Sequence, residues 1–305
     1  MIISISDNWS DARAQHDVFL QAIIDRHKKK LSKRCGPPTL TYSFLVEVES
    51  LLLSTQQADL ISSIDIFLDY KKRAGSFQVQ FIANLQSIFN YKTFTEKKDG
   101  WDAYKLCQKS KIKVCPYCHQ VDIITVVDEK TKKAYRPPLD HFYYKNEYPH
   151  LALTLSNLVP SCTPCNTNLK AVSDFYLNPH LHPLYDDEKI EFGLHHPFAN
   201  AYLLDILGSD PESVTISVDT TTPGCAATRR SLETFVMAER YKQSSTMAVE
   251  YAKSKLDWEN LRLNLQINLM TTDEKTLTRF DRKTYRSRPL GKLFADIHDL
   301  INRLN

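Results

Sequence analysis

Cys115-Pro-Tyr-Cys118 and Cys162-Thr-Pro-Cys165-Asn166 enclose the stretch that decides the fold, and Leu139-Asp140-His141-Phe142 and Asn157-Leu158-Val159-Pro160 lie between them. Two thiolates separated by two residues reach one ion, and two such pairs complete a tetrahedral Zn²⁺ site with Zn–S bonds of about 2.3 Å. Unligated cysteines or a redox pair fit two matched pairs poorly. We therefore expect a structural Zn²⁺ that is held by Cys115, Cys118, Cys162 and Cys165.

The polar residues between the cysteine pairs suit phosphodiester hydrolysis. That reaction needs a base to deprotonate an attacking water and a cation to neutralise charge on the phosphoryl group. His141 suits the base and Asp140 a metal ligand, while the Asn166 amide oxygen suits Mg²⁺ or Mn²⁺ better than Zn²⁺. Neighbouring strand residues point to opposite sides, so Asp140 and His141 can serve one site only where the strand ends or distorts.

The order of these elements resembles the zinc-stapled branch of the HNH endonuclease family: CxxC, then DH, then NL, then CxxCN with a nearby Lys. The resemblance implies that Asp140 and Asn166 bind a catalytic Mg²⁺ or Mn²⁺ and that His141 is the general base. It also implies that Asn157 orients the catalytic loop and supports the histidine. The name-giving pattern has His where this chain has Asn166, which is a common variant. The clear match covers residues 111–170.

Lys170 lies one residue further from Cys165 than the lysine of the most frequent CxxCNxxK form. Two interpretations stay open for its side chain. It could contact the phosphate backbone of a nucleic acid, or it could be a solvated helix lysine.

Outside residues 111–170 the resemblance is weaker. Trp101-Asp-Ala-Tyr104, Tyr148-Pro149 and Arg288-Pro-Leu-Gly-Lys292 resemble the larger bacterial HNH proteins of anti-phage loci, including Septu-type and retron-associated nucleases. That resemblance implies a role in antiviral defence and a partner ATPase encoded in the same locus.

Apolar residues at helical spacing flank the cysteine-bounded stretch on both sides. Over residues 11 to about 90 they predict roughly four helices, with turns at Cys35-Gly36-Pro37-Pro38 and Arg73-Ala74-Gly75-Ser76. Helical periodicity returns from Ser231 onward. In the middle, residues 121–127 and 135–142 flank a turn-like segment, and this pattern predicts a hairpin.

The predicted fold class is therefore mainly α with a small α+β insert, a ββα-metal (HNH) core with a four-cysteine zinc site. We expect three regions. These are a helical N-terminal region at 1–105, the nuclease core with its zinc knuckles at 106–190, and a mainly helical C-terminal region at 191–305.

The amino-acid composition limits the classes of function that the chain can have. The chain has 305 residues, a formal net charge of +3, 42% hydrophobic and 25% charged residues, which is ordinary globular composition and permits nucleic acid as a partner. Seven scattered glycines exclude Gly-rich phosphate loops. The N-terminal sequence lacks a signal pattern and the most apolar stretch contains Glu47 and Glu49, so we expect a cytoplasmic protein without membrane contact.

The leading hypothesis is a metal-dependent HNH endonuclease that hydrolyses DNA. One alternative is an RNase, including one that attacks tRNA, because the hydrolytic site does not itself choose between deoxyribose and ribose. Another is a non-catalytic, zinc-stapled nucleic-acid-binding subunit. Basic residues such as Lys130, Lys132, Lys133 and Arg136 either contribute a nucleic-acid face or are solvated. The helical flanks are expected to dock a partner or another copy of the chain.

Overall fold

The computed structural model describes residues 3–32, 37–96, 99–195, 214–263 and 273–304. This part of the chain is mainly helical and contains three two-stranded antiparallel sheets, which confirms the predicted mainly α class. Cys35, at one predicted turn, lies outside the described residues.

The chain divides into two compact units. The larger unit consists of Ser4–Ile112 and Ile123–Asp186, and the smaller unit consists of Met1–Ile3, Lys113–Asp122 and Asp187–Asn305.

The larger unit begins with the four predicted helices and then has two short ones. They are α1 (Arg13–Leu31), α2 (Pro37–Leu52), α3 (Gln57–Arg73), α4 (Gln78–Ile88), α5 (Tyr91–Thr95) and α6 (Ala103–Gln108). In α3, Leu60, Ile64 and Phe67 recur on one face and are fully buried. Side chains cap the two short helices: Asn90 Oδ1 accepts the Thr93 N–H, and Asp102 Oδ1 accepts the Lys105 N–H.

An aromatic core joins these helices to the cysteine-bounded stretch. Phe44, Phe67 and Phe81 pack together with ring centroids 5.5 to 6.2 Å apart. His150 stacks on Phe67 at 4.9 Å and meets the edge of Phe44 at 5.5 Å. The segment that follows the Asp140-His141 pair is thereby anchored to the helices.

Two small sheets of the larger unit come next in the chain. Strands β1 (Val126–Val127) and β2 (Ala134–Tyr135) form one hairpin, and β3 (Leu139–His141) pairs antiparallel with β4 (Leu158–Pro160). A seven-residue π-helical segment, Pro164–Lys170, follows β4. Short 3-10 turns occupy Pro149–Leu151 and Leu155–Asn157.

The predicted hairpin is shorter than expected. Its turn is present, since the Asp128 N–H donates to the Lys133 carbonyl at 2.9 Å. Residues 135–142 do not continue as one strand, because Pro137 and Pro138 lack backbone donors and interrupt the ladder. The chain after these prolines pairs with β4 instead of β1.

The smaller unit is built on one sheet and a set of helices. Strand β5 (Ile190–His195) pairs antiparallel with β6 (Thr215–Thr220). Its helices are α7 (Ala226–Thr234), α8 (Met237–Lys242), α9 (Ser245–Leu263), α10 (Glu274–Thr278) and α11 (Gly291–Leu304). Within this unit Tyr117 stacks on Phe235 at 4.6 Å, and the Tyr241 hydroxyl donates to the Cys118 carbonyl at 2.7 Å.

Across the part of the chain that the structure describes, no helix combines the length and the apolar character needed to cross a membrane.

Candidate active site

The four predicted zinc ligands lie together. The sulfur atoms of Cys115, Cys118, Cys162 and Cys165 are all within 4.8 Å of one another, and all four residues are buried. A tetrahedral tetrathiolate site with Zn–S bonds of about 2.3 Å has sulfurs about 3.8 Å apart. The spacing therefore fits a metal ion, and the donor set of four thiolates is the one that structural Zn²⁺ prefers.

The Asp140-His141 pair occupies the end of a strand. Asp140 faces Val159 and His141 faces Leu158 in the β3–β4 register, and β3 ends at His141. Asp140 is 3% exposed and His141 is 7% exposed. Neighbouring residues inside a strand point to opposite faces, but β3 ends at His141, so the Asp140 and His141 side chains can serve one site.

Asn157 fixes the chain just after His141. Its Oδ1 accepts the Tyr143 N–H at 2.7 Å, while its Nδ2 donates to the Tyr143 carbonyl at 3.0 Å and the Leu151 carbonyl at 3.2 Å. Its backbone carbonyl accepts the Phe142 N–H at 3.0 Å. The fully buried side-chain amide is therefore used in hydrogen bonds to the backbone of Tyr143 and Leu151.

One hydrogen bond sets the tautomer of His141. Its Nε2 lies 3.0 Å from the Ala152 carbonyl oxygen, which can only accept, so Nε2 carries the proton and Nδ1 carries the lone pair. Burial lowers the pKa of His141 to about 3, against the opposing effect of the Ala152 carbonyl, and Lys145 and Lys170 lower it further. The imidazole is therefore neutral at neutral pH, which is the form that accepts a proton.

The Tyr91 ring packs edge-on against the His141 imidazole with centroids 4.4 Å apart. The Tyr91 hydroxyl donates to the Leu139 carbonyl at 3.3 Å, so α5 holds both the histidine ring and strand β3. Burial raises the pKa of Tyr91 to about 12. This residue lies about fifty positions before His141, and nothing in the local sequence points to it.

Lys170 forms a buried ion pair with the predicted metal ligand. Its ammonium donates to Asp140 Oδ1 at 2.9 Å and to the His141 carbonyl at 2.6 Å, and it lies 5.0 Å from the Phe175 ring centroid. The side chain is 1% exposed. The interpretation of Lys170 as a solvated helix lysine is therefore wrong, whereas its contact with a phosphate backbone stays a prediction.

Asn166 lies in the first turn of that π-helical segment, where its N–H donates to the Cys162 carbonyl at 3.0 Å. The residue is half-buried. Ala171 ends the segment with a positive φ of 46°. The hydrogen bond to the Cys162 carbonyl therefore fixes the backbone of Asn166 beside the second cysteine pair.

A cavity of about 550 Å³ brings the predicted residues together. Asp140, His141, Asn166 and Lys170 all line it. Asn157 acts behind this lining, through the backbone that it fixes. We call this space the Asp140 cavity. Its polar lining residues are Tyr91, Thr95, Arg136, Asp140, His141, Tyr144, Lys145, Asn166, Thr167 and Lys170.

Positive charge dominates the Asp140 cavity. Among the lining residues that the structure describes, Arg136, Lys145 and Lys170 are cations, whereas Asp140 is the acidic residue. Lys145 is half-buried, and burial together with the nearby Lys170 lowers its pKa. A cationic cavity with one carboxylate and one amide oxygen suits a phosphate group that binds beside a metal ion.

Sequence reasoning did not single out Tyr91, Lys145 and Arg136 as lining residues. Arg136 belongs to a basic cluster of the sequence, but its neighbours Lys130, Lys132 and Lys133 are exposed on the hairpin turn. The only local signal is that Arg136 precedes Pro137-Pro138 and lies four residues before Asp140.

The chain was compared with protein-family models, with curated proteins and with solved structures, and none of the three comparisons gives a match.

Proposed function

We propose that this protein is a metal-dependent endonuclease of the HNH type, which hydrolyses phosphodiester bonds of DNA in the Asp140 cavity. One observation carries the proposal: a histidine whose Nε2 is hydrogen-bonded to a backbone carbonyl adjoins a carboxylate at the end of a strand in a cationic cavity. That combination provides a base, an oxygen ligand for a hard cation and an attraction for phosphate.

His141 is the general base in this proposal. Its Nδ1 accepts the proton of the attacking water, while the Ala152 carbonyl keeps the ring oriented through Nε2 and stabilises the imidazolium that forms. Tyr91 limits the movement of the ring from one side. Asn157 keeps the backbone after His141 in place through its hydrogen bonds to Tyr143 and Leu151.

Asp140 and Asn166 are the residues that would hold a catalytic Mg²⁺ or Mn²⁺. Both are hard oxygen donors and both line the Asp140 cavity, so the donor set fits these ions better than it fits Zn²⁺. When bound, such an ion neutralises charge that develops on the phosphoryl group. Lys170 positions the Asp140 carboxylate through the buried ion pair.

The local backbone supports the HNH assignment. Strands β3 and β4 followed by the helical segment Pro164–Lys170 reproduce the order of a ββα unit. The most frequent family spacing places the lysine four residues after the last cysteine, whereas here it is five. A π-helix returns to the same face after about five residues, so the π-helical winding absorbs the additional residue. Lys170 thereby reaches Asp140 in spite of the longer spacing.

The four-cysteine cluster supports a structural Zn²⁺ in this proposal. Closed sites of four thiolates leave no position for substrate, so this ion stabilises the fold and takes no part in the reaction. The role in antiviral defence, the partner ATPase, the homo-oligomer and the cytoplasmic location follow from the sequence and its resemblance, and they stay predictions.

The test is strand cleavage by the purified chain. Supercoiled plasmid DNA and total cellular RNA are incubated with Mg²⁺ or Mn²⁺ and with EDTA, beside the variant Asp140→Asn. We expect DNA nicking that EDTA and Asp140→Asn both abolish. Cleavage of RNA alone would favour the RNase alternative. Tight DNA binding with no metal-dependent cleavage would favour the non-catalytic subunit.

Asp69→Asn is the matched control, because it removes an exposed carboxylate that also pairs with a cation, Arg73, at 3.3 Å. This variant should nick plasmid at the wild-type rate. Equal losses in Asp69→Asn and Asp140→Asn would contradict the assignment of the site.

A further inference from the structure

The Asp140 cavity contains one guanidinium, that of Arg136, among the described lining residues. Its position is constrained by contacts with Pro137 and Tyr104 and by an interaction with the Tyr91 hydroxyl, whose pKa burial raises and Arg136 lowers. The Nη1 group donates to the Pro137 carbonyl at 2.8 Å, and the guanidinium carbon lies 5.3 Å from the Tyr104 ring centroid. The two prolines that follow restrict the backbone between Arg136 and strand β3. The guanidinium is therefore presented to the cavity in a restricted orientation.

Part of this guanidinium has no protein partner. Arg136 Nε is buried and makes no hydrogen bond within the described residues. Buried donors in proteins are normally satisfied, so an unsatisfied donor on a residue that lines a cavity points to a ligand that supplies the missing acceptor. A phosphate offers several anionic oxygens that match the planar fork of an arginine.

The other two cations of the cavity differ from Arg136. Lys170 already uses its ammonium on Asp140 and on the His141 carbonyl. Lys145 is half-buried and has a flexible side chain. Its ammonium lies 3.4 Å from Asn146 Oδ1 and 5.9 Å from the Tyr144 ring centroid. Arg136 thus combines a restricted position with an unused donor.

We propose that Arg136 is a catalytic residue that binds the scissile phosphate and stabilises the charge that develops on it during hydrolysis. This inference rests on the proposed function and adds to it the group that contacts the non-bridging oxygens. In that role Arg136 differs from Lys145, which attracts flanking phosphates of a long polyanion. Loss of Arg136 should therefore slow cleavage of large and small phosphodiesters alike, whereas loss of Lys145 should mainly weaken binding of the large one.

The experiment compares two substrates for three cavity variants and one control variant. Plasmid DNA carries many phosphates, whereas bis(p-nitrophenyl) phosphate carries a single phosphodiester. The Arg136→Ala variant should lower kcat roughly 100-fold or more on both substrates, which is the usual effect of losing one donor that acts in the transition state. Lys145→Ala should raise KM for plasmid much more than it changes cleavage of the small diester.

Arg136→Lys keeps the charge but loses the planar fork, so it should restore part of the lost kcat. Arg73→Ala is the matched control, because that guanidinium also lies over a tyrosine ring, Tyr70 at 4.4 Å, but is exposed outside the cavity. It should behave as wild type. Circular dichroism spectra and thermal melting of each variant separate catalytic loss from unfolding.

The outcomes separate the two proposals. Wild-type cleavage with Arg136→Ala within twofold of it on the small diester would overturn the role of Arg136 and leave the nuclease assignment intact. A loss confined to plasmid KM would also overturn it, since it would make Arg136 a remote phosphate contact. Absence of cleavage of both substrates by the wild-type chain would overturn both proposals.

Discussion

The cysteine cluster was predicted from two short motifs, as were Asp140, His141 and Asn166 of the Asp140 cavity, but the two sites differ in what determines them. The cluster consists of four identical thiols, all buried and within 4.8 Å of one another. The cavity collects an acid, an amide, an imidazole and three cations. A closed metal site therefore follows from ligand spacing, whereas a reactive cavity depends on many contacts from other parts of the chain.

The largest expected effect comes from breaking the cluster with Cys162→Ser. Structural zinc contributes roughly 10 kcal/mol or more of binding free energy, which is comparable to the whole free energy of unfolding of a typical domain. The variant should fail to fold cooperatively and should lose bound zinc. Circular dichroism melting and atomic absorption measure the two effects. Cys225→Ser, at a half-buried position outside the cluster, should melt as wild type. Normal melting of Cys162→Ser would contradict the zinc site.

Asn157→Ala should affect both stability and cleavage. It leaves one buried N–H and two buried carbonyls without their side-chain partner, which should lower the free energy of unfolding by about 2 to 4 kcal/mol. Cleavage should also fall, because the backbone after His141 is released. Urea unfolding and plasmid nicking check the two effects. Asn84→Ala, on helix α4, removes a part-buried amide outside the cavity and should leave nicking unchanged. Full activity of Asn157→Ala would argue against its orienting role.

The buried ion pair of the cavity is tested by Lys170→Met. Removing one partner of a buried pair leaves the Asp140 carboxylate uncompensated, so the free energy of unfolding should fall by about 3 kcal/mol. The same substitution in an Asp140→Asn background should cost much less, and the difference between the two urea-unfolding values gives the coupling. Equal costs in the two backgrounds would show that Lys170 acts by packing alone.

A smaller effect is the acid sensitivity of two histidines that lie outside the cavity. The Trp101 indole N–H donates to His16 Nδ1 at 3.1 Å, and His16 Nε2 donates to the Leu153 carbonyl at 2.7 Å, so the ring is neutral. Burial lowers the pKa of His16 to about 4 and that of His150 to about 3.

Both folded-state pKa values lie below the unfolded value of about 6.5, so the unfolded chain binds more protons as the pH falls. The stability that these neutral rings provide is complete above pH 6.5 or so and decreases below it. From pH 7 to pH 5 each histidine should lower the free energy of unfolding by about 2 kcal/mol. His150→Phe keeps the contact with Phe67 and should flatten the pH dependence of the urea midpoint. An unchanged slope in that variant would refute the contribution of His150.

Local spacing explains which features were predictable. Each cysteine pair, the Asp140-His141 pair and the Asn157-Leu158 step can be recognised from a few neighbouring residues. Tyr91 could not be found, because its contact with His141 depends on how helix α5 packs. The hairpin was predicted too long, since its β-branched pattern outweighed the two prolines. Lys170 was ambiguous, because a π-helical turn and an α-helical turn point it in different directions.

The central claim is that a neutral His141 in the Asp140 cavity acts as the base for phosphodiester hydrolysis. The most direct measurement is the rate of plasmid nicking by His141→Ala beside His27→Ala, which removes a half-buried histidine of helix α1 outside the cavity. We predict that His141→Ala loses roughly 100-fold or more in rate while it melts as a folded protein, and that His27→Ala keeps the wild-type rate. Equal nicking by the folded His141→Ala variant and the wild type would contradict the account.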